Sequence, residues 1–539
     1  MSEVTEARQA YRETGWWRDQ TFIDDLRRNA AQQPAKTAVI GHSTDTGRTD
    51  TVDYAELSRL TGRMAHGLAG LGVRRGEWVA IMLPDCWEMF PLALACIQAG
   101  LQIVPISPEF RRAEMEHAFR LTGARLFITA PDFSGFRPAE AARELARDGG
   151  LPEQIVVFGD DRPDGTLSFA EHFLAPGETA QSELAGRCLT PDEPFLLLFT
   201  SGTTGTTKAV LHSQNTLHSS IRGYAEALGL DHTLVTTTAH SNMYYVGLVV
   251  RLLTTVFLGG TAVCLERWDP AASLDLIERH GVTTFYGSPH FMRQLLAAAR
   301  SRPLRDSRLT SVVSGSAPVP PQLARQAREV LGVRLYSLWG MSENGAVTCT
   351  RPDDPQDWAA HSDGRPTGGM EVRIDPLPGQ DDGAGPLWVR GASQCLGYYK
   401  QDDIYAASLD AQGWFDTGDL ARSDGRGGIR ITGRAKDIII HQSSNLPVAE
   451  IEALLGNHPK VADVALIGIP DPETDERACA IVTAAGGTPP TLGELRDYLR
   501  DAGMSDWCWP DRLEVIDAMP RNAMGKIRKV DLRTRFRTP

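Results

Sequence analysis

Short apolar runs alternate with helical patterns along most of the chain, up to Arg434. This alternation predicts an α/β fold, in which parallel strands are connected by helices that cover the sheet. The predicted strands of this kind are residues 78–83, 126–129, 155–158, 283–286 and 311–314, and the predicted helices are residues 89–98, 291–300 and 321–331.

The pattern changes around Arg434. Residues 429–432 and 438–440 are both β-like and predict a hairpin with a short connection. The rest predicts a small α+β module of about a hundred residues, an ordinary domain size. Its predicted elements are helices at 449–455 and 492–499 and strands at 464–467 and 478–482.

Composition and charge narrow the class of protein. The chain has 539 residues, of which 42% are hydrophobic and 23% charged, as in an ordinary soluble globular protein, and this length predicts more than one domain. A net charge of -13, with both signs interspersed, disfavours nucleic acid as a partner.

No apolar run long enough to cross a membrane and no signal-peptide core is present, so we expect a cytoplasmic protein without a membrane partner. The eight cysteines show no CxxC or metal-ligand spacing and are expected to be buried free thiols.

The most informative stretch follows the apolar run 195–198. Residues 199–208 read Phe-Thr-Ser-Gly-Thr-Thr-Gly-Thr-Thr-Lys. Glycines allow close approach of the backbone to an anion, the hydroxyls add hydrogen-bond donors, and Lys208 adds a positive charge, so this loop is suited to a polyphosphate. The alternative is an ordinary polar hairpin between two strands.

Four further segments give this loop a context. The five motifs, in this order and spacing, resemble the adenylate-forming superfamily of acyl-CoA synthetases, luciferases and peptide-synthetase adenylation domains, over nearly the whole chain. The four segments are Ser-Leu-Trp-Gly-Met-Ser-Glu (337–343), Gly-Trp-Phe-Asp-Thr-Gly-Asp (413–419), Gly-Arg-Ala-Lys-Asp (433–437) and Pro-Arg-Asn-Ala-Met-Gly-Lys-Ile (520–527).

The resemblance implies a fold and a domain division. A large N-terminal domain, residues 1–435, would contain two parallel sheets covered by helices and a small barrel-like region that includes residues 387–390. A small mobile α+β domain, residues 436–539, would rotate about a hinge at Lys436.

The resemblance also implies a reaction, in which a carboxylic acid is activated with ATP and Mg²⁺ to an acyl-adenylate, releasing pyrophosphate. Catalysis would fall to Lys526, which would bridge the carboxylate and the α-phosphate, and to Glu343, Thr204 and Lys208. Glu343 and Thr204 would bind Mg²⁺. The alternatives are that Glu343 is simply solvated and that Lys526 is an ordinary lysine of the C-terminal tail.

The remaining site residues are expected around the nucleotide and the acid. Asp419 and Arg434 would bind the ribose, with surface charges as the alternative, and Trp339 would stack on adenine unless it is a core residue. Nucleotide contacts would also come from Thr200, Ser201, Gly202, Thr203, Thr204, Gly205, Lys208, Gly315, Ser316, Ala317, Gly340, Met341 and Ser342. The acid would contact His240, Met243, Tyr244, Gly315 and Gly340, although His240 suits a structural role equally well and Met243 and Tyr244 suit the core.

One segment departs from the family pattern. Ligases usually carry two glycines after the hinge, where the backbone lines the channel for coenzyme A, but here the residues are Gln442 and Ser443. Both restrict the backbone, which predicts weak thioester formation by this protein. The alternative is that the loop takes a different backbone path and still admits coenzyme A. The leading hypothesis therefore has two forms: an adenylating enzyme that passes its product to a carrier protein or a second ligase homologue, or a complete acyl-CoA ligase. A homologue that binds such ligands without catalysis is the alternative of another class.

The resemblance also suggests the type of acid. The start Gly-Trp-Trp-Arg (15–18) is similar to cyclohexanecarboxylate-type ligases, and the chain as a whole is similar to acyl-CoA ligase homologues of diterpenoid antibiotic biosynthesis. A bulky hydrophobic acid is the substrate this implies.

Overall fold

The computed structural model describes residues 3–175, 184, 186–200, 208–377, 382–441, 444–471 and 475–536. The strands are β1 (Thr37–His42), β2 (Thr49–Asp53), β3 (Trp78–Met82), β4 (Gln102–Pro105), β5 (Leu126–Thr129), β6 (Gln154–Val157), β7 (Leu167–Ser168), β8 (Pro194–Thr200), β9 (Lys208–Ser213), β10 (Val235–Thr238), β11 (Thr261–Leu265), β12 (Thr284–Gly287), β13 (Ser311–Gly315), β14 (Arg334–Met341), β15 (Gly345–Cys349), β16 (Arg365–Pro366), β17 (Met370–Ile374), β18 (Gly385–Gly391), β19 (Gly397–Tyr398), β20 (Phe415–Ser423), β21 (Ile429–Arg434), β22 (Ile440–His441), β23 (Ser444–Asn445), β24 (Val461–Asp471), β25 (Asp475–Ala484) and β26 (Arg512–Val515).

The α-helices are α1 (Glu3–Glu13), α2 (Phe22–Gln32), α3 (Tyr54–Gly70), α4 (Met89–Ala99), α5 (Arg112–Thr122), α6 (Pro138–Gly149), α7 (Gln214–Leu228), α8 (Thr254–Leu258), α9 (Pro270–Arg279), α10 (Pro289–Ser301), α11 (Pro321–Gln326), α12 (Asp402–Ala406), α13 (Val448–Leu455), α14 (Leu492–Asp501) and α15 (Lys529–Arg535). Among the described residues, π-helical segments are Ala170–Leu174, Val246–Leu253 and Ala327–Leu331, and 3₁₀ turns include Trp358–Ala360, Ala435–Asp437 and Asp506–Cys508.

Two large sheets organise the part of the chain before Arg434. Within the described residues, the first has the order β16-β15-β14-β13-β12-β10-β11-β1-β2 and is parallel from β14 to β1. The second has the order β19-β9-β8-β4-β3-β5-β6-β7 and is parallel from β8 to β7. This confirms the predicted α/β class, and the parallel strands need the helical crossovers that the alternating pattern indicated.

Strand β3 shows why both faces of a sheet are covered. Val79 and Ile81 belong to the core that includes α3 and α4, whereas Trp78, Ala80 and Met82 belong to the core that includes α5 and α6. Successive side chains of a strand point to opposite faces, so an uninterrupted apolar run requires helices on each side.

The largest core lies between the two sheets. It contains Val39 of the first sheet and Ile103 of the second, together with residues of α2, α3, α4 and α7. Helix α4 is buried at every position except Gln98, which explains why its sequence has no polar face.

A small antiparallel sheet, β17-β18-β20-β21, packs beside these two and corresponds to the expected barrel-like region. Residues 387–390 lie in β18, as predicted. The hairpin predicted between 429–432 and 438–440 is wrong. Strand β21 pairs with β20 instead, while β22 pairs with β23 and β25, because the turn Ala435–Asp437 directs the chain out of the small sheet.

The C-terminal part forms a separate α+β layer. In its described residues the order is β23-β22-β25-β24, with β26 parallel to β25. Leu466, Ala480 and Val482 pack against α13 and α14, whereas Ile467 and Ile481 face α15. The predicted helices and strands of this region are confirmed, with longer strands than the sequence indicated.

The cysteines mostly match the expectation of buried free thiols. All eight cysteines are free thiols, six of them buried, while Cys86 and Cys188 are partly exposed. The described helices include none long and apolar enough to cross a membrane. The two tryptophans near the start of the chain anchor it: Trp17 donates a 2.9 Å hydrogen bond to the carbonyl of Ala392, and Trp16 packs against Gly368.

Candidate active site

The carboxyl ends of β10, β12, β13 and β14 meet at one edge of the first sheet, where α/β folds place ligands. His240 follows β10, Ser288 follows β12, and Gly315 ends β13. Trp339 lies near the end of β14, and Glu343 follows it. Predicted site residues from three distant parts of the sequence thus share one edge, and Ser288, which the sequence did not indicate, joins them.

The second sheet brings Thr200 and Lys208, which flank the predicted phosphate loop, toward this edge. Thr200 and Lys208 are register partners at the open end of β8 and β9. The predicted residues between them, Ser201, Gly202, Thr203, Thr204 and Gly205, lie outside the described residues, so their roles stay predictions.

Glu343 is held by a tyrosine that the sequence analysis missed. The Tyr398 hydroxyl donates a 3.0 Å hydrogen bond to Oε1 of Glu343, and Nζ of Lys208 donates a 3.1 Å hydrogen bond to the same hydroxyl oxygen. Glu343 and Tyr398 are both buried. A tyrosine within a short apolar segment carries no chemical signature, so only the pairing of β19 with β9 reveals this contact.

Asp419 lies opposite Arg434 in the β20–β21 register. Arg434 Nε is 2.8 Å from Asp419 Oδ1, and Trp339 Nε1 donates a 3.0 Å hydrogen bond to Oδ2. The Arg434–Asp419 contact is an ion pair whose geometry does not make a hydrogen bond. The buried Oδ1 of Asp419 therefore accepts no hydrogen bond from the described residues. This oxygen fits an acceptor for a ribose hydroxyl. The stacking of Trp339 on adenine stays a prediction, since its N–H group is engaged with Asp419.

Lys526 reaches the site from the C-terminal part. A turn built on Asn522 presents it: the Asn522 side-chain oxygen accepts hydrogen bonds from the backbone N–H groups of Met524 and Lys526, at 3.1 and 3.0 Å. Gly525 has φ +75°, and a Cβ there would lie 2.9 Å from Oγ of Ser288, so this turn packs closely against the start of α10.

Charged groups of the predicted site act on the ammonium of Lys526. The pKa of its ammonium is lowered to about 8, first by burial and then by the charge of Arg434, while Asp419 and Glu343 oppose the shift. Lys526 therefore lies within electrostatic reach of both carboxylates named from the sequence. Asp463 holds this arrangement from outside, 2.6 Å from Nη2 of Arg521 and 3.2 Å from Nη2 of Arg293.

The segment 238–247 is fixed by a buried ion pair that sequence reasoning did not find. Arg251 is 0% exposed and contacts both carboxylate oxygens of Asp85, one of them at 2.8 Å. It also donates a 2.7 Å hydrogen bond to the side-chain oxygen of Asn242, whose backbone N–H donates to Asp85 at 3.0 Å. The positive charge of Arg251 is therefore compensated within the protein.

The predicted acid-binding residues differ in their surroundings. His240 is buried edge-on against Phe291, with its Nδ1 3.1 Å from the Thr238 hydroxyl, and burial lowers its pKa to about 3, so the ring is neutral. Its Nε2 has no partner among the described residues. Met243 is buried in the largest core, and the Tyr244 hydroxyl lies 2.6 Å from Oγ of Ser107. Contact of these side chains with an acid stays a prediction.

Close backbone packing already accounts for Gly315 and Gly340. A Cβ at Gly315 would lie 2.5 Å from the Leu338 carbonyl, and one at Gly340 would lie 2.0 Å from the Gly345 carbonyl. The other predicted residues here are Ser316, which has φ 68°, the exposed Ala317, Met341 at the end of β14, and Ser342, whose carbonyl accepts a hydrogen bond from Nε2 of His212.

The described side chains at this site offer few ligands for a metal ion. Within the described part of the chain no group of three or more histidine, cysteine or carboxylate side chains converges. No described residue donates a hydrogen bond to Oε2 of Glu343. One buried carboxylate suits Mg²⁺, which takes most of its ligands from water and substrate phosphates.

We predict a pH dependence from Lys526. Its ammonium is present below pH ~8 and is lost as the pH rises through this value, so kcat/KM for a nucleotide substrate should fall above about pH 8, approaching tenfold per unit. Lys526→Arg should remove this decline while lowering the rate, because arginine stays charged. Lys529→Arg, which changes a lysine paired with Glu452, should keep it. A decline that persists unchanged in Lys526→Arg would assign it to another group.

Comparison with known proteins places these features in a family. The protein-family model described as "AMP-binding enzyme" matches residues 26–399 of this chain. The family model described as "AMP-binding enzyme C-terminal domain" matches residues 450–526. Triostin synthetase I of Streptomyces triostinicus is 33% identical over 532 residues, covering 97% of this chain and 96% of that protein.

Two further relatives are named for different products. The medium-chain fatty-acid–CoA ligase of Escherichia coli K12 is 29% identical, over 98% of this chain and 92% of its own. The salicyl-AMP ligase / salicyl-S-ArCP synthetase of Mycobacterium tuberculosis is 30% identical, over 96% of this chain and 91% of its own. Among solved structures, ATP-bound MatB from Rhodopseudomonas palustris superposes with a TM-score of 0.83 at 25% identity, covering 96% of this chain and 99% of MatB.

Proposed function

This chain belongs to the AMP-binding enzyme family of adenylate-forming ligases, and we propose that it uses ATP to convert a bulky hydrophobic carboxylic acid into an acyl-adenylate, releasing pyrophosphate. One observation carries the proposal: Lys526, from the C-terminal part, lies within electrostatic reach of Glu343 and Asp419 at the edge of the first sheet. A buried ammonium close to two buried carboxylates suits a reaction in which negative charge shifts between phosphates.

The bond changes are simple. A carboxylate oxygen of the acid forms a bond to the α-phosphorus of ATP, the bond from that phosphorus to its bridging oxygen breaks, and the electron pair leaves with pyrophosphate. No proton moves, so the protein must hold the two anions in line and offset their charge. We assign the offset at the α-phosphate to Lys526.

The nucleotide would be held at both ends. Asp419 Oδ1, which has no described hydrogen-bond partner, would accept from a ribose hydroxyl, and Arg434 would contribute positive charge beside it. Thr200, Lys208 and the residues between them would bind the β- and γ-phosphates. Glu343 would hold Mg²⁺, which supplies positive charge to the phosphate oxygens.

The surroundings of His240 favour an acid without a second charge. His240 is neutral, and Arg251 is already paired with Asp85. The charge of Lys526 also reaches His240, but the proposed reaction uses that charge at the α-phosphate. A second carboxylate here would therefore be buried without a counter-charge of its own, at a cost of several kcal/mol. Apolar neighbours of the same segment, Met243 and Val246, support a hydrophobic acid body.

We also propose that thioester formation by this protein is slow. The argument is from sequence, since Gln442 and Ser443 replace the two glycines of ligases and lie outside the described residues. The relative named for salicyl-S-ArCP supports transfer to a carrier protein. The E. coli fatty-acid–CoA ligase supports the second candidate, a complete acyl-CoA ligase.

A hinge at Lys436, between domains 1–435 and 436–539, is part of this proposal. Lys436 is exposed in the short turn Ala435–Asp437, directly after β21. Asp437 is already tied to the C-terminal part by a 2.7 Å ion pair with Arg533. Rotation would need only a few residues near Lys436 to change conformation, because the packed layers on either side can move as units.

We predict that pyrophosphate release depends on the acid. Alicyclic, aromatic and medium-chain acids should exceed dicarboxylates of equal size by at least about a hundredfold in kcat/KM, since the second carboxylate would be buried unpaired. The measurement is pyrophosphate release with ATP and Mg²⁺ across a matched acid panel, with acyl-adenylate identified by mass. Equal rates for dicarboxylates would refute the uncharged pocket, and no release with any acid would favour a non-catalytic homologue.

We predict that acyl-CoA appears more slowly than pyrophosphate in the wild type. Gln442→Gly/Ser443→Gly should raise acyl-CoA formation without changing pyrophosphate release, because glycine restores backbone access.

Lys436→Pro, which fixes φ near -65°, should slow at least one half-reaction by restricting the hinge. Both products are followed by mass in one reaction. Acyl-CoA formation as fast as pyrophosphate release would identify a complete ligase, and wild-type rates of both steps in Lys436→Pro would remove the hinge assignment.

A further inference from the structure

Tyr398 lies between two groups that the proposed function assigns to the phosphate end of the site. Its hydroxyl is 3.1 Å from Nζ of Lys208 and 3.0 Å from Oε1 of Glu343. An ammonium can only donate and a carboxylate only accept, so the Tyr398 hydroxyl accepts from Lys208 and donates to Glu343. The direction of both hydrogen bonds is therefore defined.

The backbone around Tyr398 connects the same two groups. The N–H of Cys395 donates a 2.7 Å hydrogen bond to the carbonyl of Glu343, and the N–H of Tyr399 donates a 2.8 Å hydrogen bond to the carbonyl of Ala209, next to Lys208. Tyr398 is itself 1% exposed and packs edge-on against Tyr405, with ring centroids 5.3 Å apart. The hydroxyl thus sits on a rigid frame that includes Glu343 and the start of β9.

The bridge keeps two opposite charges apart. With one hydroxyl between them, Lys208 and Glu343 are separated by roughly 5–6 Å, beyond the reach of a direct ion pair. Lys208 uses one of its three hydrogens here, and Glu343 uses one of its two oxygens. A direct Lys208–Glu343 pair would instead turn each group toward the other and away from phosphate and Mg²⁺.

We propose that Tyr398 is a positioning residue for the Mg²⁺–triphosphate end of the site, and that its hydroxyl sets the separation and direction of Lys208 and Glu343. Burial and the neighbouring Glu343 raise the pKa of the Tyr398 hydroxyl, so it stays a donor over the working pH range. The inference rests on the proposed function, because that function gives Lys208 and Glu343 their roles.

The test compares Tyr398→Phe with Tyr405→Phe. Both changes remove one hydroxyl from the same core cluster, but the Tyr405 hydroxyl contacts Gln394 and the carbonyl of Cys395, not Lys208 or Glu343. ATP binding is measured by calorimetry with and without Mg²⁺ and without any acid, alongside the Tm of each variant. Steady-state KM values for ATP and the acid are measured separately.

Tyr398→Phe is expected to weaken Mg²⁺-dependent ATP binding about tenfold, because hydrogen bonds to two charged groups are lost. Tyr405→Phe should stay within about twofold of wild type, since it leaves both charged groups in place. The KM for the acid and the Tm should be alike in the two variants. In a Glu343→Gln background the effect of Tyr398→Phe should shrink, because the two residues act as a unit.

Equal ATP affinities of the two tyrosine variants would overturn the inference. So would equal losses of ATP binding, acid KM and Tm in Tyr398→Phe, which indicate a general structural role. These results are separate from the proposed function, since calorimetry needs neither turnover nor the correct acid. A wild-type protein that binds ATP but activates no acid would refute the proposed function alone, and one that binds no ATP would refute both.

Discussion

The buried ammonium of Lys526 is the interaction on which the arrangement of this molecule depends. Removing an ammonium from water is costly, and its lowered pKa reflects that cost. The cost is tolerable here because Asp419 and Glu343 lie close enough to favour the charged form. The C-terminal part therefore brings a positive charge within electrostatic reach of two negative charges at the edge of the first sheet.

Other charged side chains at the site accept hydrogen bonds from neutral side chains or donate to them, or form an ion pair within the protein. Trp339 donates to Asp419, Tyr398 connects Lys208 with Glu343, and Arg251 is neutralised by Asp85. Hydrogen bonds from fixed, protonated groups orient a carboxylate without consuming its charge. This preorganisation suits the proposed reaction, whose main demand is to hold two anions together.

The sequence predicted the fold class and the placement of the charged residues better than the contacts between them. Strand–helix alternation identified the parallel sheets because both faces of each strand are buried, and the order of motifs placed Glu343, Asp419 and Lys526 at one site. Tyr398 and the Asp85–Arg251 pair were missed because their roles depend on contacts across more than fifty residues of chain, which leave no local pattern. The predicted hairpin at 429–440 was wrong because two β-like segments lie close in sequence yet belong to different sheets.

The most direct measurement is acyl-adenylate formation by Lys526→Ala, with ATP affinity measured in the same preparation and Lys529→Ala as the control. We expect a loss of about 10²–10³ in the rate of pyrophosphate release, typical of removing one preorganised charge, while ATP affinity changes only a few-fold. Lys529→Ala should react like the wild type, since Lys529 pairs with Glu452. Pyrophosphate release by Lys526→Ala within a few-fold of wild type would contradict the account, because the site would then function without the charge that the C-terminal part supplies.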